Sequence, residues 1–358
     1  MAKERQRETR SAHWDFVRGL SMFLMLLINT KAVAGWEPYG LKFIRAGLPL
    51  IEPIIFLSGF LICRRLIPIV KAGHPLRSLA VDYVRRRVIR TWPLYFLVVG
   101  VVFLFPALAD KPLQAPFWRF ATFTMNNHLY MDDGLASMWT LCVEEWCYFL
   151  LLLTFPFLKF KWRPLIFLSL AFFSLGVRTF MVLNFGPMLF QAYLHSVHFP
   201  TWTHADAFWF GCLFADVYRG SERWRAPKWQ WLSLGISVSL FLLYWNGLPD
   251  EESVARQVLS VPCGILMSAT LLWGIEVVPS RWLRLSGLVV FGYASYSFYL
   301  IHKPVLALAH RVLREWKVFE PYRYPELLVA YGILILFGTG FFFLLERPIL
   351  AYLRRGPR

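Results

Sequence analysis

Ten stretches of this sequence are apolar and long enough to cross a lipid bilayer. A helix needs about 20 mostly apolar residues to span the hydrocarbon core. Because backbone groups inside lipid must hydrogen-bond within the chain, helices are the element expected for such stretches. The sequence therefore predicts an all-α fold, a polytopic membrane helix bundle of about ten transmembrane helices. The predicted spans lie near residues 15–35, 43–63, 91–109, 139–158, 164–182, 204–219, 229–247, 257–276, 285–309 and 326–345.

The composition also indicates a membrane protein. Of 358 residues, 57% are hydrophobic and 17% are charged, whereas a soluble domain carries roughly 25% charged residues. A single water-soluble core is too small to bury so much apolar surface. Because no stretch indicates an appended soluble domain, residues 1–358 are predicted to form one transmembrane domain in contact with membrane lipid.

The distribution of basic residues predicts an orientation in the membrane. The net charge is +16, but the Lys and Arg residues lie between the apolar stretches and form no patch, which argues against nucleic acid as a partner. With the N-terminus inside, most of them fall in loops on the cytoplasmic side. The positive-inside rule then predicts a multi-pass protein of the plasma (inner) membrane with both termini in the cytoplasm. The oligomeric state stays open, with a homo-oligomer among the possibilities.

Six polar side chains fall inside or at the start of predicted spans. Ionisable groups in the hydrocarbon are costly, so each is a candidate functional residue. The alternative for each is a structural hydrogen bond or ion pair between helices. With a rise of about 1.5 Å per helical residue, all six are predicted to meet in one layer near the outer face. The six are Asn29, Glu144, Glu145, Arg178, His204 and His302.

A basic cluster precedes the third predicted span. Arg85, Arg86, Arg87 and Arg90 lie around the start of that span, before Thr91-Trp92-Pro93. Arginine recognises phosphate through paired hydrogen bonds, so the cluster indicates an anion site at the cytoplasmic mouth. Positive-inside anchoring explains the same residues equally well. An anionic cofactor inside and a reactive layer near the outer face would suit transfer of a chemical group across the membrane.

Six segments, taken in order, resemble the motif series of the acyltransferase-3 family and cover nearly the whole chain. Before the second segment, Glu52 stands where the family usually has Asp. The segments are Asp15-Phe16-Val17-Arg18-Gly19, Ile55-Phe56-Leu57-Ser58-Gly59-Phe60, Tyr83-Val84-Arg85-Arg86-Arg87-Val88-Ile89-Arg90-Thr91-Trp92-Pro93-Leu94-Tyr95, Trp139-Thr140-Leu141-Cys142-Val143-Glu144-Glu145-Trp146-Cys147-Tyr148, Ser295-Tyr296-Ser297-Phe298-Tyr299-Leu300-Ile301-His302-Lys303-Pro304 and Glu346-Arg347-Pro348.

The resemblance implies an activity and its participants. Members of the family move an acyl group, often acetyl, from cytoplasmic acyl-CoA to a hydroxyl of an extracytoplasmic glycan or related acceptor. Carried over, Arg86, Arg87 and Arg90 would hold the CoA phosphates, and no metal is expected. Asp15 and Arg18 would belong to the catalytic region. The alternative function is a non-catalytic relative that acts as a transporter or a ligand-binding membrane protein.

The chain departs from the family pattern at two further positions. The family often has Arg at the start of the sixth predicted span, where this chain has His204. Eleven residues after Arg18 the family has a histidine, which titrates near neutral pH; here the residue is Asn29, which cannot take a proton there. Three interpretations follow. Either His204 or His302 supplies the base while Asn29 orients the acyl carbonyl, or Glu144 or Glu145 is the base, or the transfer chemistry has been lost.

Overall fold

The computed structural model describes residues 12–34, 51–109, 111–128, 134–159, 161–186, 188–220, 226–247, 253–315 and 323–355. Over these ranges the chain forms helices and no strand. Two short π-helices, Leu194–His198 and Phe342–Glu346, interrupt the α-helical pattern. The α-helices are α1 (Ala12–Ala34), α2 (Glu52–Lys71), α3 (Leu76–Leu104), α4 (Phe117–Ala121), α5 (Trp139–Thr154), α6 (Arg163–Phe185), α7 (Phe190–Tyr193), α8 (Thr201–His204), α9 (Asp206–Gly220), α10 (Pro227–Gly247), α11 (Val254–Gly274), α12 (Ser280–Leu285), α13 (Leu288–Tyr293), α14 (Ser295–Glu315), α15 (Arg323–Phe341) and α16 (Arg347–Arg355).

The all-α membrane bundle predicted from the sequence is confirmed. In the described part of the chain, six helical stretches are long and apolar enough to cross a membrane. The total of ten spans stays a prediction. The six stretches are Glu52–Lys71, Leu76–Leu104, Ala136–Phe157, Arg163–Phe185, Val254–Val277 and Leu328–Tyr352.

Two helices extend through charged residues beyond the predicted limits of their spans. The second span, predicted for 43–63, is helical from Glu52 to Lys71, and residues 43–50 lie outside the described part. The third span, predicted to begin at residue 91, already begins at Leu76. Apolarity alone set the predicted limits, but charged side chains can continue a helix when they have polar partners in the bundle. The basic cluster therefore lies within α3 and not at its start.

The ninth predicted span, 285–309, is not one helix. α12 ends at Leu285, and α13 and α14 follow it as separate helices. Gly287 between α12 and α13 has φ 72°, a left-handed conformation that glycine adopts without the steric cost of a side chain. A second break at Ala294 separates α13 from α14. α13 packs against α1, while α14 packs against α15 and α1.

Close backbone contacts at glycines bring the elements of the bundle together. A Cβ atom on Gly292 of α13 would lie 1.8 Å from the carbonyl oxygen of Asp15 on α1. A Cβ on Gly59 of α2 would lie 2.1 Å from the carbonyl oxygen of Phe208 on α9. Small residues allow helices in a membrane to approach this closely. The resulting contacts fix α1 and α2, which carry the start of the first two family-like motifs.

Candidate active site

A cavity of about 150 Å³ lies between α1, α2, α3, α5 and α14. Three guanidinium groups line it, from Arg18 on α1 and from Arg87 and Arg90 on α3. One carboxylate, that of Glu144 on α5, lines it as well. Hydroxyl groups and apolar side chains complete the wall, namely Ser58, Thr91, Thr140, Tyr148, Ser295, Tyr296, Tyr299, Met22, Ile54, Leu61, Ile62 and Leu141. The cavity thus combines arginines and hydroxyl-bearing residues with an apolar surface.

Arg87 joins α3 to α5 through two carboxylates. Its Nη2 atom lies 3.3 Å from Oε2 of Glu144 and 2.8 Å from Oε1 of Glu145. The guanidinium also stacks 3.7 Å from the ring centroid of Tyr148, a favourable cation–π arrangement. Trp92 donates from Nε1 to Oε2 of Glu145 at 3.2 Å. Arg87 therefore lines the cavity and also connects α3 to α5 through its two ion pairs.

Glu144 and Glu145 contact Arg87 of the basic cluster. The sequence predicts them in one layer with His204 and His302. The depth of the two carboxylates in the membrane stays a prediction. Glu144 also accepts hydrogen bonds from Ser58 at 2.9 Å and from Tyr148 at 3.2 Å. The oxygens of both carboxylates thus accept hydrogen bonds from within the protein, and the interpretation of Glu144 or Glu145 as the base stays a prediction.

The remaining basic residues divide between the cavity and the surface. Arg90 lines the cavity beside Arg18. Arg18 lies 3.9 Å from the buried carboxylate of Asp15, one turn earlier on α1. Arg86, in contrast, pairs at 2.8 Å with Asp82 one turn away, and the side chains of both are more than 40% exposed. The structure thus brings Arg18, Arg87 and Arg90 together and leaves Arg86 outside the cavity.

A short chain of hydroxyl groups connects α5 to α14 at the cavity wall. Thr140 and Tyr299 form a hydrogen bond of 2.6 Å between their side-chain oxygens. The Tyr299 hydroxyl also donates to the carbonyl oxygen of Ser137, so Thr140 is the donor to Tyr299. Nearby, the Tyr296 hydroxyl donates to the carbonyl oxygen of Thr91 at 2.6 Å. These bonds fix the start of α14 against α3 and α5.

His302 has one ring nitrogen bound and one without a partner. It lies one turn beyond Tyr299 on α14 and is fully buried. Nδ1 is 2.7 Å from the carbonyl oxygen of Tyr299; a carbonyl can only accept, so Nδ1 carries the proton. Nε2 is then the nitrogen with the lone pair, and it has no hydrogen-bond partner among the described residues. This is the tautomer that a proton acceptor requires.

A second buried polar group lies around His204. Nε2 of His204 is 3.6 Å from Oε1 of Glu52 on α2. The His204 ring packs edge-on against His198, with centroids 4.6 Å apart, and against Trp139 of α5 at 5.0 Å. Burial, together with the nearby His204 and the charge of Arg178, lowers the pKa of His198, so its imidazole is neutral at pH 7. Glu52, His198 and His204 are at most 1% exposed.

Arg178 is held by Asp206 next to this group. Nη2 of Arg178 donates to Oδ2 of Asp206 at 2.6 Å, and Nη1 donates to the carbonyl oxygen of Thr203 at 2.7 Å. Neither side chain of the ion pair is more than 1% exposed. A buried guanidinium needs such compensation. The pair fastens α6 to the junction of α8 and α9, on which His204 lies.

The predicted layer of six residues is therefore divided. Arg178 and His204 are neighbours, His302 lies beyond the cavity wall on α14, and Glu144 and Glu145 belong to the Arg87 cluster. Asn29 lies on α1, but its side chain is outside the described part of the structure.

Two residues of the site were missed at the level of sequence. Asp206 could have been found, because a buried cation such as Arg178 requires an acidic partner, and Asp206 opens a neighbouring helix. His198 gave no such signal. It falls in a segment between two predicted spans and in none of the family-like motifs, and only the π-helix Leu194–His198 with its surroundings buries it.

Comparison with known protein families gave a match over most of the chain. A family model described as an acyltransferase domain, that of the acyltransferase-3 family, matches residues 12–347. The matched region includes every candidate site residue described above. Neither a search of curated proteins nor a search of solved structures gave a match.

Proposed function

The chain belongs to the acyltransferase-3 family, and we propose that it transfers a short acyl group, such as acetyl, from cytoplasmic acyl-CoA to a hydroxyl of an extracytoplasmic glycan or related acceptor. Membership of the family and the apolar helices make it a multi-pass membrane protein of the acyltransferase class. The observation that carries the finer proposal is the cavity in which Arg18, Arg87 and Arg90 meet.

The donor is proposed to bind with its phosphates near the arginines. A phosphate is bound most strongly by guanidinium groups that offer parallel hydrogen bonds. Arg18, Arg87 and Arg90 all line the cavity, and they are the phosphate ligands in this proposal. The apolar wall at Met22 and Ile62 would contact the thioester arm.

The base is proposed to be His302. Its Nδ1 proton is fixed by the carbonyl oxygen of Tyr299, which leaves Nε2 to accept a proton. In the reaction the acceptor oxygen attacks the thioester carbonyl carbon while its proton passes to Nε2. The C–S bond then breaks, and the CoA sulfur leaves and takes up that proton. The products are an ester and CoA thiol, and no metal or redox partner is needed.

The test is transfer of label from radioactive acetyl-CoA to lipid and polysaccharide fractions of membranes with and without the protein. Arg90→Ala is expected to raise the KM for acetyl-CoA about tenfold or more, since it removes a charge-assisted hydrogen bond. Arg86→Ala is the matched control and is expected to leave the KM unchanged. Loss of transfer in both variants alike would contradict the assignment of the cavity.

His302→Gln tests the base in the same assay. Loss of a general base lowers the rate about 100-fold or more, whereas His310→Gln on the same helix is the control, because His310 pairs with Glu326 away from the cavity. A protein that binds CoA but neither consumes acetyl-CoA nor acylates any fraction would favour the alternative, a transporter or ligand-binding relative.

A further inference from the structure

Three buried side chains outside the cavity face one another without satisfying their polar atoms. Glu52 begins α2, His198 ends the π-helix and His204 ends α8. Both carboxyl oxygens of Glu52 and both ring nitrogens of each histidine lack a hydrogen-bond partner among the described residues. The distance of 3.6 Å from Nε2 of His204 to Oε1 of Glu52 is longer than a hydrogen bond.

Such a group is expensive for the fold to maintain. Buried polar groups in native proteins almost always have a partner, and each exception requires an explanation. Trp139 packs against both imidazoles, and Arg178 is already bound to Asp206 and to a backbone carbonyl. Neither of these neighbours supplies the missing hydrogen bonds. The missing hydrogen bonds are therefore available to a molecule that enters the site.

The chemistry of the three groups selects a hydroxyl compound. A neutral imidazole has one donor and one acceptor nitrogen. An ionised carboxyl group accepts at both oxygens, and a protonated one also donates through its O–H. A hydroxyl group both donates and accepts, so it can satisfy either kind of atom. In the part of the chain that the structure describes, no group of three or more His, Cys, Asp or Glu side chains is placed to hold a metal ion. An uncharged polyhydroxyl molecule such as a sugar fits this combination.

We infer that Glu52, His198 and His204 bind the hydroxyl groups of the acceptor, an inference that rests on the proposed acyl transfer. The site lies beside the donor cavity. Trp139, which contacts both histidines, precedes Thr140 of the cavity wall, and Glu52 precedes Ile54 of the same wall by two residues on α2. His198 is thereby assigned a specificity-determining role in binding the acceptor, and His302 keeps the role of base.

The test separates acceptor binding from donor chemistry. His198→Phe removes two unpartnered polar atoms and keeps an aromatic ring, and Glu52→Gln keeps the side-chain shape. Each variant is assayed in membranes with radioactive acetyl-CoA, once for label in the lipid and polysaccharide fractions and once for acetohydroxamate formed with hydroxylamine. Hydroxylamine is a small reactive nucleophile that does not need the acceptor site. Binding of CoA and thermal unfolding of the purified variants are measured alongside.

In both variants, label transfer to the native acceptor is expected to fall about tenfold or more relative to the wild type. Hydroxamate formation should stay within about twofold of the wild-type rate, and CoA binding should be unchanged. The melting temperature of His198→Phe should be equal to that of the wild type or higher, because an apolar ring replaces orphaned polar atoms. A structural role would give the opposite result, a lower melting temperature with both products reduced together.

Two other results would overturn the inference. Unchanged label transfer in His198→Phe and Glu52→Gln would mean that the group holds water only. Wild-type membranes that form neither product would refute the proposed function itself, and the inference with it. Failure of the proposed function is thus distinguished from failure of the acceptor site alone, because it is observed in the wild type and does not depend on the variants.

Discussion

Arg87 of α3 and Glu144 of α5 form an ion pair of 3.3 Å inside the helix bundle. The pair unites two features that the sequence places at opposite faces of the membrane, the basic cluster and the acidic residues of the fourth predicted span. The proposed donor site at the basic cluster therefore lies beside the hydroxyl groups of α5 and α14 that line the same cavity.

Arg87→Met is expected to lower the free energy of unfolding by about 3–5 kcal/mol, because it leaves two largely buried carboxylates without their cation. Thermal unfolding in detergent measures the effect, and Arg85→Met at an exposed position of the same helix is the control. Adding Glu144→Gln and Glu145→Gln to Arg87→Met should recover most of the loss. Equal stability of Arg87→Met and Arg85→Met would contradict the structural role of the pair.

Gly292→Ala is expected to separate α13 from α1, since the added Cβ would lie 1.8 Å from a backbone oxygen that cannot move aside alone. Overpacking of this kind costs about 1–3 kcal/mol or more. The matched variant is Gly332→Ala on α15, where nothing lies within 4 Å of the added atom. The melting temperatures of the two variants give the comparison; a similar value for both would mean that the close contact between α1 and α13 is absent.

The sequence predicted the kind of fold and the family but not how the site is assembled. Apolar length located helices such as α6 and α10 to within a few residues, because that property depends on local composition. It could not show that α3 begins at Leu76 or that the ninth span is divided at Ala294 between α13 and α14, since both depend on contacts with other helices. The burial of His198 was equally hidden, because no local pattern distinguishes a histidine in a buried π-helix from one in an exposed loop.

Asp206→Asn is expected to destabilise the protein by about 3–5 kcal/mol, because Arg178 is fully buried and would lose its counter-charge. Asp82→Asn offers the comparison, since its pair with Arg86 is exposed and such surface pairs contribute about 0–1 kcal/mol. Thermal unfolding of both variants decides between them. If Asp206→Asn were as stable as Asp82→Asn, the ion pair of Arg178 with Asp206 would not stabilise the α8–α9 junction.

The orientation of the chain leads to a labelling prediction. His74, in the exposed turn between α2 and α3, is predicted to face the cytoplasm, and the exposed Asn184 near the end of α6 the outside. In a variant without the five native cysteines, a membrane-impermeant thiol reagent added to intact cells should modify Asn184→Cys and spare His74→Cys. The reverse pattern would place both termini outside and move the donor cavity to the wrong face for cytoplasmic acyl-CoA.

The most direct test of the central claim is binding of CoA to the purified protein by titration calorimetry. If the donor phosphates lie at the cavity, the wild type and Arg86→Ala bind CoA equally, and Arg90→Ala and Arg18→Ala each bind it about tenfold or more weakly. Equal binding by all four proteins, or a loss confined to Arg86→Ala, would contradict the assignment of the cavity as the donor site.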